Sequence, residues 1–573
     1  MEQRVIANIS AARISLDAGI AESTTAETVF HAPQHPTAIL NATKHLSATL
    51  TSLSAANLTA TRKCNESTSE PILDNPFYMF AMAHLHMGRI LCLRSLFGEA
   101  LSKHFEIGAQ VFPYSARLFH ALGNARKSVA KSIADLDQVE DAFKQAVRIS
   151  KDLALKRDSF NEKLDEQKRD LEENDENDDD DDDEDDDSWV LEASVDDEIN
   201  AGRDAENALI LLLIQLGRSN EAAPLLESGG YKYRLSDAVL AYSFTENSKG
   251  PWRLHDIPFV KAIDSALPDP ALQYLQNAFA KDSVFWKEHY YGPDTPYFSY
   301  SHALSTPTEK EAHARSSMDQ LIHYVHKLVS KLLPQVSEAK SAEWWVHSRV
   351  HSAGHQLHFD SAHEGKSGAT SGDNKTKKRR MGPVHPIASC VIYLSEGCGG
   401  PTMVTNQRLG DPLADRGWMV ESRVNRLVVF DGSVLHGVIP GKGVCGDARL
   451  DEGRRTSFMI AFWDHVDIKP SQDNTPGSGR PFPYNVSKDV YKWPQQHQPN
   501  TNEKWPGAVP DNLHHVIPVP LEAVWEAIGE SGGAAPEKES DAIQAILTEG
   551  DLELGYSKSR LGLPNYNLVF QGF

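Results

Sequence analysis

Cysteine is scarce in this chain: Cys64, Cys92, Cys390, Cys398 and Cys445 are the only five in 573 residues, odd in number and without Cys-x-x-Cys spacing. Such scatter excludes a disulfide framework and points to a reducing compartment. Long hydrophobic runs are missing as well. The longest, Ala208 to Ile214, is far too short to cross a bilayer, and Met1-Glu2-Gln3-Arg4-Val5-Ile6 opens no continuous apolar stretch of the secretory kind. The Asn-x-Ser/Thr triplets at Asn8, Asn41, Asn57, Asn65 and Asn485 therefore carry no glycosylation meaning. These absences predict a soluble intracellular protein, cytoplasmic or nuclear, with no membrane partner. The Ala-, Ser- and Thr-rich start, poor in acids up to Glu22, leaves an organelle transit segment as the alternative.

Positive charge is in deficit, with 57 Lys and Arg against 80 Asp and Glu and a formal net charge of −23. Fourteen of the acids fall between Glu172 and Asp187, so the remainder of the chain carries only −9. That run can bury nothing and reads as a solvated, disordered insert, either a solubilising linker or a tail for basic partners such as histones.

At this length about three domains are expected. Residues 1–74 show no clear pattern. Residues 75–245 are helical in period: Phe77 to Phe105 and Ser115 to Leu136 repeat apolar and small residues every three or four positions, and Glu140 to Glu172 is long and charged. Glu198 to Gly217 and Asn220 to Leu226 form a helical hairpin turning at Leu216-Gly217-Arg218, with Ala205, Ala208, Leu209, Leu212 and Leu216 on one face. This hairpin resembles one tetratricopeptide unit, and a short array of such units or a generic bundle would equally offer a platform for a protein partner. From Pro251 the pattern changes to loops and short strands, interrupted by an amphipathic helix at Ser316 to Leu333 expected to buttress a β-core. Residues 250–470 make up that unit. Residues 471–573 read as a Pro-rich extension with a short helix at Leu521 to Ile528.

The chemistry concentrates in the β-core. His358-Phe359-Asp360 lets a histidine and a carboxylate two residues apart share one face of a strand. His436, far downstream, would complete two imidazoles and one carboxylate on one side of a metal, leaving open positions for co-substrate and O2, the pattern of non-haem Fe(II) oxygenases. With 24 histidines such a triplet also arises by chance, and His465-Val466-Asp467 is a second one. Order separates the two. After His358 come a strand, a Gly-Gly-Pro-Thr turn, a second apolar strand with His436, and Arg455-Thr456-Ser457; nothing after Asp467 repeats this. Arg455 and Ser457, two apart, would grip a carboxylate by a guanidinium fork and a hydroxyl, with Arg454 facing away. Tyr393 is a further candidate for the co-substrate site, or a core tyrosine with its hydroxyl satisfied. His347, His351, His355 and His363 crowd the region in supporting or surface roles, since the triad needs only three groups.

The stretch from about Trp344 to Asp464 resembles the double-stranded β-helix core of the Fe(II)/2-oxoglutarate-dependent dioxygenases, nearest to the prolyl-hydroxylase-like branch. Four segments carry the resemblance: Gly354 to Asp360; Ile392-Tyr393-Leu394-Ser395 running into Gly399-Gly400-Pro401-Thr402; Asn425 to Asp431 with Leu435-His436-Gly437-Val438; and Arg455-Thr456-Ser457. It departs where proline hydroxylases commonly carry lysine in place of Arg455, and in the long loop between His436 and Arg455. The implied fold is an α+β multidomain chain, a helical N-terminal domain followed by a jelly-roll, cupin-like barrel with the metal at its mouth. The implied metal ligands are His358, Asp360 and His436, with Arg455, Ser457 and Tyr393 on 2-oxoglutarate. Fe(2+), 2-oxoglutarate and O2 are the implied cofactors, with ascorbate as a reductant. The implied activity is hydroxylation, or demethylation through hydroxylation, with release of succinate and CO2. A helical domain ahead of such a core suggests a protein substrate, a prolyl or other side chain, by analogy of architecture. The alternative is a helical scaffold whose oxygenase-like core is a sensor or degenerate.

A basic loop, residues 364–383 with Lys375, Lys377, Lys378, Arg379 and Arg380, follows the first two candidate ligands. It reads as a nuclear import signal, a steering patch for an acidic substrate, or a solvated loop. The absence of interleaved aromatics argues against a nucleic-acid stacking platform.

Overall fold

Small and polar residues at the N-terminus conceal a helical period. In the computed structural model Glu2–Thr28 and His35–Ala55 are helices that pack on each other and on Pro76–Leu93. Ala12, Leu16, Ala42, Leu46 and Leu53 fill the contact. The expectation of no clear pattern before residue 75 is thus corrected: a few leucines and alanines hold the buried face of each helix among small polar residues, so hydrophobic contrast is low and packing reveals what contrast does not. The structure describes residues 2–28, 35–55, 75–93, 96–172, 188–228, 233–242, 259–289, 299–304, 316–360, 384–408, 411, 413–444, 454–464, 480–483, 492–497 and 509–527. Residues 173–187 of the acidic run and the basic loop 364–383 lie outside them.

Two compact units result, divided at Leu212/Leu213 rather than near residue 245. In the first, further helices run Ala116–Val129, Ile133–Glu172 and Ser188–Gln215, the last crossing the division. Ser115 caps the first of these by accepting from Leu118 N at 3.2 Å. Gly88 sits where a Cβ would come 2.2 Å from Phe105, so the glycine permits the close approach of that buried ring. Among the described residues no helix is long and apolar enough to cross a membrane.

The second unit opens with the helix Ser219–Ser228, reached through Gly217 at φ +74°, a left-handed turn that glycine accommodates without strain. Its strands are β1 (Tyr233–Leu235), β2 (Val260–Asp264), β3 (Tyr300–Ala303), β4 (Ser341–Val350), β5 (His355–His358), β6 (Ala388–Tyr393), β7 (Thr402–Arg408), β8 (Gly417–Val420), β9 (Leu427–Asp431), β10 (Val434–Val438), β11 (Arg454–Trp463), β12 (Arg480–Pro481), β13 (His514–Val516), β14 (Val519–Leu521) and β15 (Trp525–Ala527). They form an eight-stranded sheet, β12-β3-β4-β11-β6-β9-β2-β13, a five-stranded sheet, β14-β8-β7-β10-β5, and the pair β1-β15. Every pairing is antiparallel except β12 with β3.

β11 is buried along its length beyond Arg454, which is why Phe458-Met459-Ile460-Ala461-Phe462-Trp463 reads as continuous apolar sequence rather than alternation. The helix Ser317–Leu332 has Ser316 as N-cap in a capping box with Asp319. Its apolar residues Met318, Leu321, Ile322, Val325, Leu328, Val329 and Leu332 are buried, and the His326 ring lies 5.5 Å from Phe462 of β11.

The C-terminal region departs most from expectation. No helix forms at Leu521 to Ala527; the segment supplies β14 and β15 instead, while Ile528 lies outside the described residues. Pro520 lacks a backbone donor, which β14 tolerates as the edge of its sheet. Trp525 pairs with Leu235. β13 and β14 therefore extend the two larger sheets and β15 pairs with β1, so tertiary pairing overrides a short stretch of helical propensity.

Candidate metal centre and anion cavity

Three elements bring the candidate ligands together. His436 on β10 is directly opposite His358 on β5, and the register slips on either side of His436, between Val434 and His436 against β7 and between His436 and Val438 against β5. Such irregularities re-aim a side chain. The two rings come to 4.3 Å between centroids, with Phe430 packed at 4.5 Å on His436.

Asp360 lies two residues past the end of β5, held by other means than strand pairing. Ser389 Oγ on β6 donates to its carboxylate, and His385 Nδ1 donates to its carbonyl at 2.8 Å. Asp360 Oδ1 stands 3.4 Å from His358 Nε2, and Oδ2 stands 3.7 Å from His436 Nε2. The three ligand atoms lie within 4.8 Å of one another. Two imidazole nitrogens and a carboxylate oxygen this close together are a donor set that would fit a divalent metal.

The protonation states suit a cation. A carbonyl only accepts, so the 3.0 Å bond from His436 Nδ1 to Val434 O fixes the proton on Nδ1 and leaves the Nε2 lone pair toward Asp360. Burial first, then His358, hold the His436 imidazole down at about 4, against a smaller upward effect of Asp360. Burial alone would raise the Asp360 carboxyl, but His436, His358 and the Ser389 hydroxyl together hold it well below the usual carboxylate range. Two imidazoles, that of His436 held neutral, and one ionised carboxylate converge.

The same cavity is closed on its other side by the eight-stranded sheet, through Trp345, His347 and Arg349 of β4 and Arg455, Ser457 and Met459 of β11. Alternation on each strand sends these side chains to one face. Arg454 faces away, its Nε donating to Ser348 Oγ at 3.0 Å. Arg455, 3% exposed, donates from Nη1 to Gly400 O at 2.9 Å and meets no carboxylate among the described residues. Burial pulls its guanidinium below the ordinary arginine value, with Tyr393 opposing. The Gly-Gly-Pro-Thr turn makes this placement possible, since Gly399 has φ +76° and a Cβ there would lie 3.1 Å from Arg455 Nη1. Ser457 Oγ is buried without a hydrogen-bond partner among the described residues.

Of the expected residues, His358, Asp360, His436, Arg455 and Ser457 thus line one cavity. Tyr393 does not. It packs with Val404, Trp418 and Phe430, and its hydroxyl shares a 2.6 Å hydrogen bond with Thr402 Oγ1, so the core alternative describes its place. His347 and His355 flank the site, with ring centroids 4.9 Å apart and His355 4.8 Å from His358. Arg349 and Ser389 were not singled out from sequence. The alternation Trp345, His347, Arg349 on one strand was the available signal for the first; none pointed to Ser389.

No family model and no curated protein matches the chain. Similar solved structures include a prolyl-4-hydroxylase from Pseudomonas putida, 17% identical over 30% of this chain and 88% of that one, with a TM-score of 0.18. AviO1 from Streptomyces viridochromogenes Tue57 is 12% identical over 37% and 93%, with a TM-score of 0.22. HygX from Streptomyces hygroscopicus, with nickel and 2-oxoglutarate bound, is 13% identical over 38% and 87%, with a TM-score of 0.20. Likeness of that degree decides nothing about the chemistry, which rests on the cavity itself.

Proposed function

We propose that this chain is an Fe(II)- and 2-oxoglutarate-dependent dioxygenase that hydroxylates its substrate, or demethylates it through hydroxylation, with release of succinate and CO2. One observation carries the reading. A single cavity joins a His, His, Asp set whose ligand atoms lie within 4.8 Å to a buried guanidinium and a buried hydroxyl on the facing sheet that lack, respectively, a carboxylate and any hydrogen-bond partner among the described residues. One half suits a divalent metal with open positions, the other a carboxylate. A 2-oxo dicarboxylic acid spans both.

Iron with 2-oxoglutarate and O2 supplies the oxidising chemistry when bound, and ascorbate would serve as reductant. The chain's own part is placement. His358 and His436 offer Nε2 lone pairs, and the Val434 carbonyl keeps His436 in the tautomer that can do so. Ionised Asp360, steadied by Ser389 and His385, offsets the cation's charge. Arg455 takes the distal carboxylate with its planar fork, and Ser457 Oγ acquires the acceptor it otherwise lacks. Trp345, Val391, Phe430 and Met459 exclude water from the same space. The two sheets with a cavity between them support a double-stranded β-helix. A protein side chain as substrate is part of the proposal.

Protein loaded with iron in the absence of oxygen is then given O2 and 2-oxoglutarate, with and without a protein extract. Succinate release stimulated by the extract is expected. Absence of succinate in both, from protein shown to hold iron, would overturn the reading in favour of a scaffold.

A further inference from the structure

Arg455 takes its direction from a backbone carbonyl, and that carbonyl belongs to a turn held from outside the cavity. Gly400 O receives Arg455 Nη1 at 2.9 Å, and the Gly399-Gly400 turn lies between β6 and β7, part of neither strand. His351, the residue after β4, supplies the hold. Its Nε2 lies 2.9 Å from Lys442 O, and a carbonyl only accepts, so the ring carries its proton on Nε2. Nδ1 is left as an acceptor and takes the Gly399 N–H at 3.0 Å. The backbone ties the same knot: Gly441 N donates to His351 O at 2.9 Å, and a Cβ on Gly441 would stand 2.4 Å from that oxygen. One imidazole outside the cavity lining thus joins the end of β4, the turn ahead of β7 and the segment after β10. Burial, before any other influence, holds the ring below the ordinary histidine value, which favours the neutral form these two bonds need.

We propose that His351 is a positioning residue: through Gly399 and Gly400 it sets the direction of the Arg455 guanidinium, and so the affinity for a dicarboxylic co-substrate, without touching co-substrate or metal. The inference rests on the reading of the cavity as a 2-oxoglutarate site. Phenylalanine at position 351 would fill the same space, strand the Gly399 N–H and release the turn that receives Arg455. The metal side is spared, because His436 and Asp360 are held by bonds of their own.

The test is calorimetric titration of iron-loaded, oxygen-free protein with 2-oxoglutarate and with 2-oxopentanoate, which has a methyl group in place of the distal carboxylate. His351→Phe is expected to weaken 2-oxoglutarate about three- to tenfold while leaving 2-oxopentanoate and iron binding unchanged. His351→Asn, whose side-chain oxygen can take the Gly399 N–H while losing Lys442, should recover part of the loss, and it serves the same comparison should the phenylalanine variant fail to fold. In an Arg455→Ala background His351→Phe should cost 2-oxoglutarate nothing further, because the two residues act in series. A wild-type protein that does not bind 2-oxoglutarate overturns the functional reading, and this inference with it. If wild type binds it and His351→Phe matches wild type, weakens both acids alike, or still costs affinity once Arg455 is gone, the function stands and the role of His351 is overturned.

Discussion

Arg426 and Arg455 are both nearly sealed from solvent, yet the chain treats them differently. Arg426 meets Asp264 through Nε–Oδ1 at 2.6 Å and Nη2–Oδ2 at 3.0 Å, and donates to Glu421 O as well. Arg455 has Gly400 O and no carboxylate among the described residues. The helical unit repeats the first pattern: buried Glu198 accepts from Tyr78 OH at 2.9 Å, Ser115 Oγ at 2.8 Å and Arg117 N at 2.9 Å. Buried polar groups are normally saturated, so a chain that saturates Arg426 and Glu198 but leaves Arg455 and Ser457 with unmet capacity marks a place for a ligand.

The largest effect that would break this contrast is at the metal. Replacing His358 or Asp360 with alanine should lower metal affinity by more than about 100-fold, beyond what loss of a supporting hydrogen bond costs, and abolish turnover with folding retained. Metal titration followed by circular dichroism checks both; near-wild-type affinity would dissolve the triad.

Glu198→Ala should destabilise by about 3–5 kcal/mol, because it strands three buried donors. Denaturant unfolding measures this, and a cost below about 1 kcal/mol would show that the saturated cluster is not structural. Arg455→Ala should weaken 2-oxoglutarate by about 1.5–3 kcal/mol, roughly 10- to 200-fold, with little effect on iron, whereas Arg454→Ala should do far less. Equal losses at the two positions would mean that facing on β11 does not govern binding.

A smaller effect is expected with pH. His84 and His104 share a 3.1 Å hydrogen bond between their Nδ1 atoms; burial and then His104 bring His84 down to about 3, and burial and then Lys103 bring His104 down to about 4. Unfolded histidines titrate near 6.5, so below that pH the unfolded chain binds more protons and stability falls as pH drops toward about 4. Replacing both histidines with glutamine should flatten that part of the stability profile; an unchanged slope would assign it to other groups. The smallest effect is at Ser457. Alanine there removes a buried hydroxyl that has no hydrogen-bond partner among the described residues, so stability should hold or rise slightly while 2-oxoglutarate affinity falls by about 0.5–1.5 kcal/mol. A clear loss of stability would mean that Ser457 belongs with Glu198 rather than with Arg455.

Much of the site was legible because its chemistry is local in sequence. Residues two apart on a strand share a face, and Arg455 with Ser457 obeys that rule whatever β11 pairs with. For His358 and Asp360 the same rule picked out two residues that the structure brings close together, although Asp360 lies beyond the strand and is fixed by Ser389 and His385 from elsewhere in the unit. Tyr393 shows the limit. Its spacing allowed a hydroxyl toward the cavity, and the proximity of Thr402 settled the bond instead. The helices at Ser317–Leu332 and Ser219–Ser228 announced themselves through period and caps, whereas the N-terminal pair, whose few buried leucines and alanines sit among small polar residues, did not.

By itself, then, the sequence determined what depends on period, turn chemistry and donor type: helices such as Ser317–Leu332 and Ser219–Ser228, the strands around His358, His436 and Arg455, and residue types suited to a divalent metal and a carboxylate. Tertiary structure alone decided what depends on register between distant segments. It placed Arg349 opposite Arg455, brought β13, β14 and β15 into strand pairs, and left Ser457 Oγ without a hydrogen-bond partner among the described residues. Strand pairing joins residues about a hundred positions apart through backbone groups that every residue carries, so side-chain identity records little of which strands will meet.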